Sequence, residues 1–251
     1  NLDTNPLFCD LSSYNFSLAE NSPLVGAGQN GSNIGATDIG CDAFYDGPTW
    51  HVSLDGSDTN LGTRESPFRN IAYAMNHAEL GDTILVQPGT YYENLDFGGV
   101  DKVLISEFYY NQDENYINTT IIDGDSNGTV ISFEDYETNA SVVCGFTIQN
   151  GSASGIKISS SSPVLKNLVI EDCTVEGSGG GISALYAHWE GIQSNLILDN
   201  IRFFNNTATG SDSRGGGLHL FSGEGSLLTN LTFSNNISHK GGGIHLQSNG
   251  F

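Results

Sequence analysis

Basic residues are scarce in this sequence, and long apolar runs are missing. Eight Lys and Arg stand against 29 Asp and Glu, which gives a formal net charge of −21 over 251 residues. A chain this acidic is repelled by phosphate backbones and anionic membrane surfaces, so nucleic acid is not an expected partner. No stretch of about 18 apolar residues occurs, so no membrane span is predicted. The charge is spread along the chain, which is typical of a salty or calcium-containing extracellular setting, or simply of a soluble surface.

Cysteine is also scarce, with only Cys9, Cys41, Cys144 and Cys173 present. None forms a CxxC pair, and the histidines do not cluster with them, which excludes a structural zinc site of the usual spacing. Cys9 and Cys41 bracket one Gly-rich segment, which favours a disulfide between them; two free thiols in a reducing compartment are the alternative. The sequence leaves the pairing of Cys144 and Cys173 open.

The feature that is present is a repeat. Four stretches share an apolar residue, then Asn or Gly, then an apolar-x-apolar pair: VVCGFTIQN from Val142, VLKNLVIED from Val164, ILDNIRFFNN from Ile197 and LLTNLTFSNN from Leu227. A second series lies between them, with SGIKI, GGISA, GGLHL and GGIHL. Both series alternate with period two, which indicates β-strands. Because the units are long and share a register, they predict a coil of parallel strands rather than a sandwich of hairpins.

The repeat also predicts which side chains face the interior. Phe203 and Phe233 hold the same position in successive units and are expected to stack, as are Leu218 and Ile244. A second shared position is expected at a turn between strands, where stacked Asn side chains can satisfy backbone amides; it holds Asn167, Asn200 and Asn230. The glycines before the second strand are expected to provide positive φ at the opposite corner.

A helix is predicted to cap the start of the coil. Ile71, Ala74, Met75 and Ala78 give a helical apolar stripe that would cover the open end of the interior. The segment DTILVQPGTY is then predicted as the first strand, ended by Pro88-Gly89.

Three segments are predicted along the chain. Residues 50–251 form the coil, residues 42–49 a linker, and residues 1–41 the closing segment of a preceding β-helix unit. The chain begins with Asn and shows no export signal. We therefore interpret it as part of a longer protein, whose other domains are expected partners.

Several motifs of residues 50–251 are shared with a known superfamily. The segments GDTILVQPGTYYE, TIIDGD and VVCGFTIQNGSASGIKI resemble the opening strand and first rungs of the pectin-lyase-like right-handed β-helix superfamily. FFNN with GGGL, and FSNN with GGGI, are similar to the FxxN and GGxI repeats of polymorphic outer membrane proteins. Residues 1–41 resemble the segment that closes such helices in multi-domain secreted bacterial proteins. The resemblance implies an all-β, right-handed parallel β-helix in a secreted or cell-surface bacterial protein, but it carries no single activity.

One acidic loop is a candidate metal site. Asp55, Asp58 and Asn60, in DGSDTNLGT, offer oxygens that suit Ca²⁺, although their spacing departs from the EF-hand pattern. The same residues equally suit a capping turn in which Asp and Asn side chains bond nearby backbone. Ca²⁺ is the one cofactor that the sequence suggests.

Two further groups are candidates for ligand binding. His219 and His245 hold equivalent outward positions in neighbouring units, about 5 Å apart, which suits a metal, a sugar carboxylate or a solvated ladder. Tyr186 and Trp189, in ALYAHWEG, offer aromatic faces that would stack on a sugar or pack onto the coil.

No catalytic residue is assigned from the sequence. Lys157 and Arg202 point outward by strand parity, but the repeat alignment gathers no Asp or Glu around either, and a polysaccharide lyase needs a base and a cation together. The leading hypothesis is a non-enzymatic structural or adhesive module that binds polysaccharide or a host or neighbouring cell surface. The alternatives are a pectate-lyase-type polysaccharide lyase with its active site on rungs beyond Phe251, and a calcium-loaded spacer without a ligand.

Overall fold

The computed structural model describes residues 8–10, 15–19, 24–25, 27–28, 32–34, 39–41, 49–185, 196–221 and 225–247. The chain divides into two compact units, Asn1–Gly47 and Pro48–Phe251. In the first unit, strand β2 (Asn15–Ala19) pairs antiparallel with β1 (Phe8–Asp10) and parallel with β3 (Ile39–Cys41). That this unit closes a preceding β-helix stays a prediction.

The second unit is a coil whose strands form three parallel sheets. The first sheet contains β4 (Thr49–Val52), β5 (Thr83–Val86), β8 (Val103–Ser106), β11 (Val142–Cys144), the first halves of β14 (Val164–Glu171) and β17 (Ile197–Phe204), and β20 (Leu227–Thr229). The second contains β6 (Gly89–Tyr92), β9 (Thr120–Asp123), β12 (Thr147–Gln149), the second halves of β14 and β17, and β21 (Thr232–Ser234). The third contains β7 (Leu95–Asp96), β10 (Ile131–Phe133), β13 (Ile156–Ser159), β16 (Ile182–Leu185), β19 (Leu218–Phe221) and β22 (Ile244–Gln247). A short parallel pair, β15 (Thr174–Glu176) and β18 (Thr207–Thr209), completes the set. The predicted all-β parallel β-helix is confirmed.

One apolar core fills the coil from rung to rung. The rings of Phe203 and Phe233 stack with centroids 4.7 Å apart and an interplanar angle of 6°. Leu218 is fully buried and lies in register with Ile244. Both predicted stacks are confirmed, and burial of such side chains contributes about 1.5–3 kcal/mol each.

Asparagines make the corner between the first and second sheets. Asn167, Asn200 and Asn230 have φ values of 52°, 53° and 54°, in the left-handed region that Asn tolerates better than most residues. The Asn200 Nδ2 donates to Asn167 Oδ1 at 2.8 Å, and the Asn230 Nδ2 donates to Asp199 Oδ1 at 2.9 Å. The predicted turn position is confirmed, and a ladder joins its first two members.

A second asparagine series was not predicted; its members are Asn206, which is fully buried, and Asn236, which is half-buried. The Cys173 amide donates to Asn206 Oδ1 at 3.1 Å, and the Asn206 amide donates to Asn236 Oδ1 at 3.0 Å. The Asn206 Nδ2 also donates to the Ile170 carbonyl at 2.8 Å. The second Asn of each FxNN motif therefore ties one rung to the next inside the coil.

The glycine triplets serve two purposes at the corner before the third sheet. Their first members, Gly179, Gly215 and Gly241, have φ values of 79°, 58° and 65°, as predicted. The third member of the middle triplet, Gly217, faces a close approach instead, because a Cβ there would lie 2.6 Å from the Gly243 carbonyl oxygen of the next rung. The triplet thus provides a residue with positive φ at the turn and, at its third position, allows the backbones of adjacent rungs to approach closely.

The capping helix is confirmed as α1 (Ile71–His77), and Ile71, Ala74 and Met75 are buried in the core at the start of the coil. The prediction that the segment after the helix is the first strand is wrong, since β4 precedes the helix and pairs in parallel with β5. The pattern missed β4 because its side chains are mostly half-buried rather than alternating.

Two short helices interrupt the coil between β8 and β9 and were not predicted. They are α2 (Phe108–Asn111) and α3 (Asn115–Thr119). Phe108 and Ile117 bury themselves against apolar side chains on the outer faces of the first two sheets, namely Leu85, Ile105, Cys144 and Val169. The insertion therefore covers part of the outside of the coil.

Candidate functional site

A small pocket lies where the insertion meets the second sheet. It has a volume of about 50 Å³ and is lined by Glu114, Ile117, Asn167, Leu168, Asn200 and Arg202. Ile117 and Leu168 are buried, whereas Glu114, Asn200 and Arg202 are exposed. The pocket combines an apolar floor with a polar, charged rim, but it is far smaller than the about 300–1,000 Å³ of usual ligand pockets, so a larger ligand would have to lie along the open face beside it.

The alternation of β17 places the charged and aromatic side chains of this site. Ile201 and Phe203 point into the core, so Arg202 and Phe204 point outward. Phe204 remains 39% exposed. Arg202 is in register with Val169 on one neighbouring rung and with Thr232 on the other. Phe204 is likewise in register with Glu171 and Ser234. We call the outward group Glu171, Arg202, Phe204 and Glu114 the Arg202 face.

Two carboxylates flank Arg202. Its Nη1 lies 4.0 Å from Glu114 Oε2, and both side chains are substantially exposed, so the pair contributes at most about 1 kcal/mol and leaves the guanidinium free to bind other groups. Burial raises the pKa of Glu171, and the neighbouring Asp172 raises it further, while the charge of Arg202 opposes the rise. A carboxyl group with a raised pKa beside a guanidinium is an arrangement found at binding and catalytic sites.

The expectation that no acid gathers around the two outward cations is corrected. Glu114 reaches Arg202, and Glu134 Oε1 lies 2.6 Å from Lys157 Nζ. The repeat alignment could not show Glu114, because that residue belongs to the insertion rather than to a rung. Glu134 was missed because it follows the end of β10.

The two predicted histidines lie together on the third sheet. His219 is in register with His245, and their ring centroids are 5.6 Å apart. Although it points away from the core, His219 is only 4% exposed. Neither of its ring nitrogens has a hydrogen-bond partner within the part of the chain that the structure describes. The expected solvated ladder is thus replaced by a buried, unpartnered imidazole.

The predicted calcium loop holds its polar groups in contacts within the chain. Asp58 Oδ1 accepts the amides of Arg69 and Asn70, each at 3.0 Å, just before α1. Partial burial alone would raise the pKa of Asp58, but these hydrogen bonds and that of the Asn70 side chain outweigh it and lower the pKa. Asn60 Nδ2 donates to the Pro67 carbonyl at 2.8 Å. These contacts are those of a capping turn; Ca²⁺ binding by Asp55, Asp58 and Asn60 stays a prediction.

Another carboxylate group was not predicted. Asp96, Asp135 and Glu137 each offer an oxygen within 4.8 Å of the others. Glu137 is buried and accepts the Gly99 amide at 2.9 Å, the Asp135 amide at 3.1 Å and the Ser161 hydroxyl at 2.6 Å. These bonds show that Glu137 organises the loop after β10.

Other predicted positions fall outside the described residues. Tyr186 and Trp189 lie in residues 186–195, and the side chains of Cys9 and Cys41 are likewise not described. Sugar stacking at the first pair and a disulfide at the second stay predictions. Cys144 and Cys173 are both buried, free thiols. Among the described helices none is long and apolar enough to cross a membrane.

Two family matches cover parts of the chain. Residues 136–250 match the family described as right handed beta helix region. Residues 54–97 match a protein family of unknown function, DUF1565. The stacked parallel strands and the first match make the second unit a right-handed parallel β-helix, as predicted. The likeness to FxxN and GGxI repeats of outer membrane proteins stays a prediction.

Relatives and solved structures with some likeness are known. The uncharacterized protein YwoF of Bacillus subtilis (strain 168) is 33% identical over 137 residues, which cover 51% of this chain and 28% of that protein. A pectin methylesterase solved with a hexasaccharide is 13% identical, with a TM-score of 0.37 over 83% of this chain and 67% of the other. The pectin methylesterase PemA of Erwinia chrysanthemi is 14% identical, with a TM-score of 0.38 over 74% and 66%. A rhamnogalacturonan lyase is 12% identical, with a TM-score of 0.37 over 81% and 63%. At such identities and TM-scores the likeness to these structures does not extend to activity.

Proposed function

We propose that the second unit is a non-enzymatic, polysaccharide-binding module of a secreted or cell-surface protein, and that the Arg202 face is its binding surface. The observation that carries the proposal is the exposed pair Arg202 and Phe204, side by side on β17 with a carboxylate on each flank. A flat, parallel outer sheet presents this pair to an extended ligand without a deep cleft.

The chemistry of the face suits a sugar. An exposed aromatic ring stacks on the apolar face of a pyranose, as planar apolar groups do. Arg202 offers a planar fork of donors, while Glu114 and Glu171 offer acceptors for hydroxyl groups. Thr232 and Ser234, in register on the next rung, extend the row of hydroxyl-binding groups.

The net charge decides which polysaccharide is expected. With a formal charge of −21, the chain repels a polyanion over distances up to about 10 Å at moderate ionic strength. A neutral polysaccharide is therefore the expected ligand, and an acidic one is expected to bind only when Ca²⁺ bridges the two carboxylate-rich partners.

A binding titration with two variants tests the proposal. Soluble neutral polysaccharides and polygalacturonate, with and without Ca²⁺, are titrated into the chain by calorimetry. Phe204→Ala is expected to weaken binding by about 0.5–1.5 kcal/mol through the loss of the aromatic stack. Arg202→Gln is expected to weaken it through the loss of the guanidinium donors. Leu61→Ala, which removes a still more exposed apolar side chain in the loop before α1 (75% against 39%), is expected to leave binding unchanged. Equal affinity of Phe204→Ala and the unmodified chain would contradict the assignment of this face.

A second candidate function is polysaccharide lyase activity at the same face. It is favoured by the raised pKa of Glu171 next to Arg202, since a base beside a cation is what proton abstraction next to a carboxylate requires. The same mixtures of polygalacturonate and protein are therefore followed by ultraviolet absorbance of the unsaturated product. Rising absorbance that Glu171→Gln abolishes would replace the binding module with an enzyme, whereas binding without turnover supports the module.

A further inference from the structure

Two histidines on the outer side of the third sheet lie apart from the Arg202 face and have no role in it. His219 on β19 and His245 on β22 are neighbours across a parallel strand pair. Their ring centroids are 5.6 Å apart, with an interplanar angle of 40°. Two imidazoles that share a tetrahedral Zn²⁺ at the usual Zn–N distance of about 2.0–2.1 Å place their ring centroids on the order of 5 Å apart. The backbone register alone thus brings the rings to the separation that a shared metal ion requires.

His219 is in an unusual state for a buried polar group. It is 4% exposed, and neither Nδ1 nor Nε2 has a hydrogen-bond partner in the described residues. A buried nitrogen without a partner costs about 1–3 kcal/mol, so such groups usually have an explanation, such as a bound ion. Burial, together with the nearby His245 and Arg214, lowers the pKa of His219 to about 4, while the Gln247 side chain opposes the shift. The ring is therefore neutral near pH 7 and keeps the lone pair that a metal ligand needs.

The charged groups around the pair are of both signs. The positive charge of Arg214 opposes a bound cation. Its Nη2 lies 2.6 Å from Asp212 Oδ2, and its Nη1 donates to Gln247 Oε1 at 2.8 Å. Asp212 pairs with Lys240 as well, so these three side chains together keep one net positive charge, which opposes a bound cation. Gln247 follows His245 by two residues, lies beside His219, and brings an amide oxygen next to the pair. The overall charge of −21 favours a cation at longer range.

We propose that His219 and His245 bind one divalent ion of a late transition metal, of the Zn²⁺, Ni²⁺ or Cu²⁺ type, and so fasten the last two rungs together. Imidazole nitrogen selects these ions over Ca²⁺ and Mg²⁺, which prefer oxygen ligands. The site is independent of polysaccharide binding, because it lies on a different sheet from Arg202.

The test is a calorimetric titration of ZnCl₂ into the full chain with Ca²⁺ in large excess, which occupies carboxylates but not imidazoles. One equivalent of Zn²⁺ is expected to bind. His245→Gln, at a half-buried position, is expected to weaken binding by about tenfold or more, since even outer-shell partners are worth about 10–100-fold. His77→Gln, an exposed histidine on α1, is expected to bind as the unmodified chain does.

Two readouts separate the metal site from other effects. Circular dichroism establishes that His245→Gln is folded, and Zn²⁺ is expected to raise the Tm of the unmodified chain but not that of the variant. In the unmodified chain, the NMR signals of two histidine rings are expected to shift on adding Zn²⁺. Absence of binding, displacement of Zn²⁺ by Ca²⁺, or equal binding by His245→Gln would each overturn the proposal, because carboxylates rather than the histidine pair would then hold the ion.

Discussion

At the scale of single residues, asparagine has two different roles in this coil. At the corner between the first and second sheets, Asn167, Asn200 and Asn230 adopt left-handed φ, and their side chains bond near the surface. One corner further on, Asn206 is fully buried and replaces backbone partners that the turn leaves without a hydrogen bond. Asparagine thus serves at the first corner because it tolerates left-handed φ, and at the second because its side-chain amide forms hydrogen bonds.

This difference leads to a prediction for Asn206→Ala. The change leaves the Cys173 amide and the Ile170 carbonyl without the Asn206 side chain as partner, which should lower the free energy of unfolding by about 2–6 kcal/mol, at about 1–3 kcal/mol per buried group. Asn200→Ala removes one exposed hydrogen bond and places Ala at a left-handed φ that Asn tolerates better. It is expected to lower the free energy of unfolding by about 1 kcal/mol. Urea unfolding followed by circular dichroism measures both. Equal losses would show that the buried ladder has no special weight.

At the scale of elements, the rungs approach one another so closely that one side of each corner has no room for a side chain. The third glycines of the first two triplets, Gly181 and Gly217, face the backbone of the next rung: an added Cβ would lie 2.5 Å from the Gly217 carbonyl oxygen and 2.6 Å from the Gly243 carbonyl oxygen, respectively. The repeat of three glycines is thus a consequence of rung spacing as well as of φ.

Gly217→Ala tests this view of the triplet. A Cβ at Gly217 would lie 2.6 Å from a carbonyl oxygen that cannot move without its rung, and a loss of about 1–3 kcal/mol in unfolding free energy is expected. Gly243→Ala is the matched control, because the nearest atom to its Cβ would be the Phe233 Cβ at 3.1 Å, a milder contact that involves no carbonyl oxygen of another rung. A thermal unfolding series should place Gly217→Ala below Gly243→Ala in Tm, and the reverse order would refute the argument.

Features of the repeated rungs could be predicted from the sequence, whereas features of the insertion between β8 and β9 could not. The stacks of Phe203 on Phe233 and the Asn corner were predictable, because a shared position in a repeat becomes a shared column in a parallel coil. Glu114 and the helices that carry it were not, since the insertion repeats nothing and its helices are about one turn long. The burial of His219 was also missed, because strand parity gives the direction of a side chain but not what covers it.

At the scale of the whole molecule, the charge is large and of one sign. The described ion pairs are few, and most join exposed groups, so they do little to offset a net charge of −21. The coil is held together instead by its apolar core and by backbone hydrogen bonds between rungs, and the carboxylates on its surface repel one another.

Salt should therefore stabilise the protein. Raising NaCl from low ionic strength to about 0.15 M shortens the Debye length from about 30 Å to about 8 Å and screens this repulsion. A rise in Tm of a few degrees is expected, since about 1 kcal/mol corresponds to about 2–4 °C for a chain of this size. Sucrose at matched osmolality is the control for general solvent effects. A Tm that falls with salt would mean that the surface ion pairs outweigh the repulsion.

The insertion between β8 and β9 has a consequence for how such a protein can change over time. Strands on either side of it keep their parallel register, with Ile105 opposite Cys144 and Ile122 opposite Ile148. The loop that supplies Glu114 is thus additional to the pairing that defines the coil. A lineage could therefore change the loop around Glu114, the acid beside Arg202, while the stacked columns stay the same. The exception is Phe108 and Ile117, which cover apolar side chains on the outside of the coil and must keep an apolar replacement.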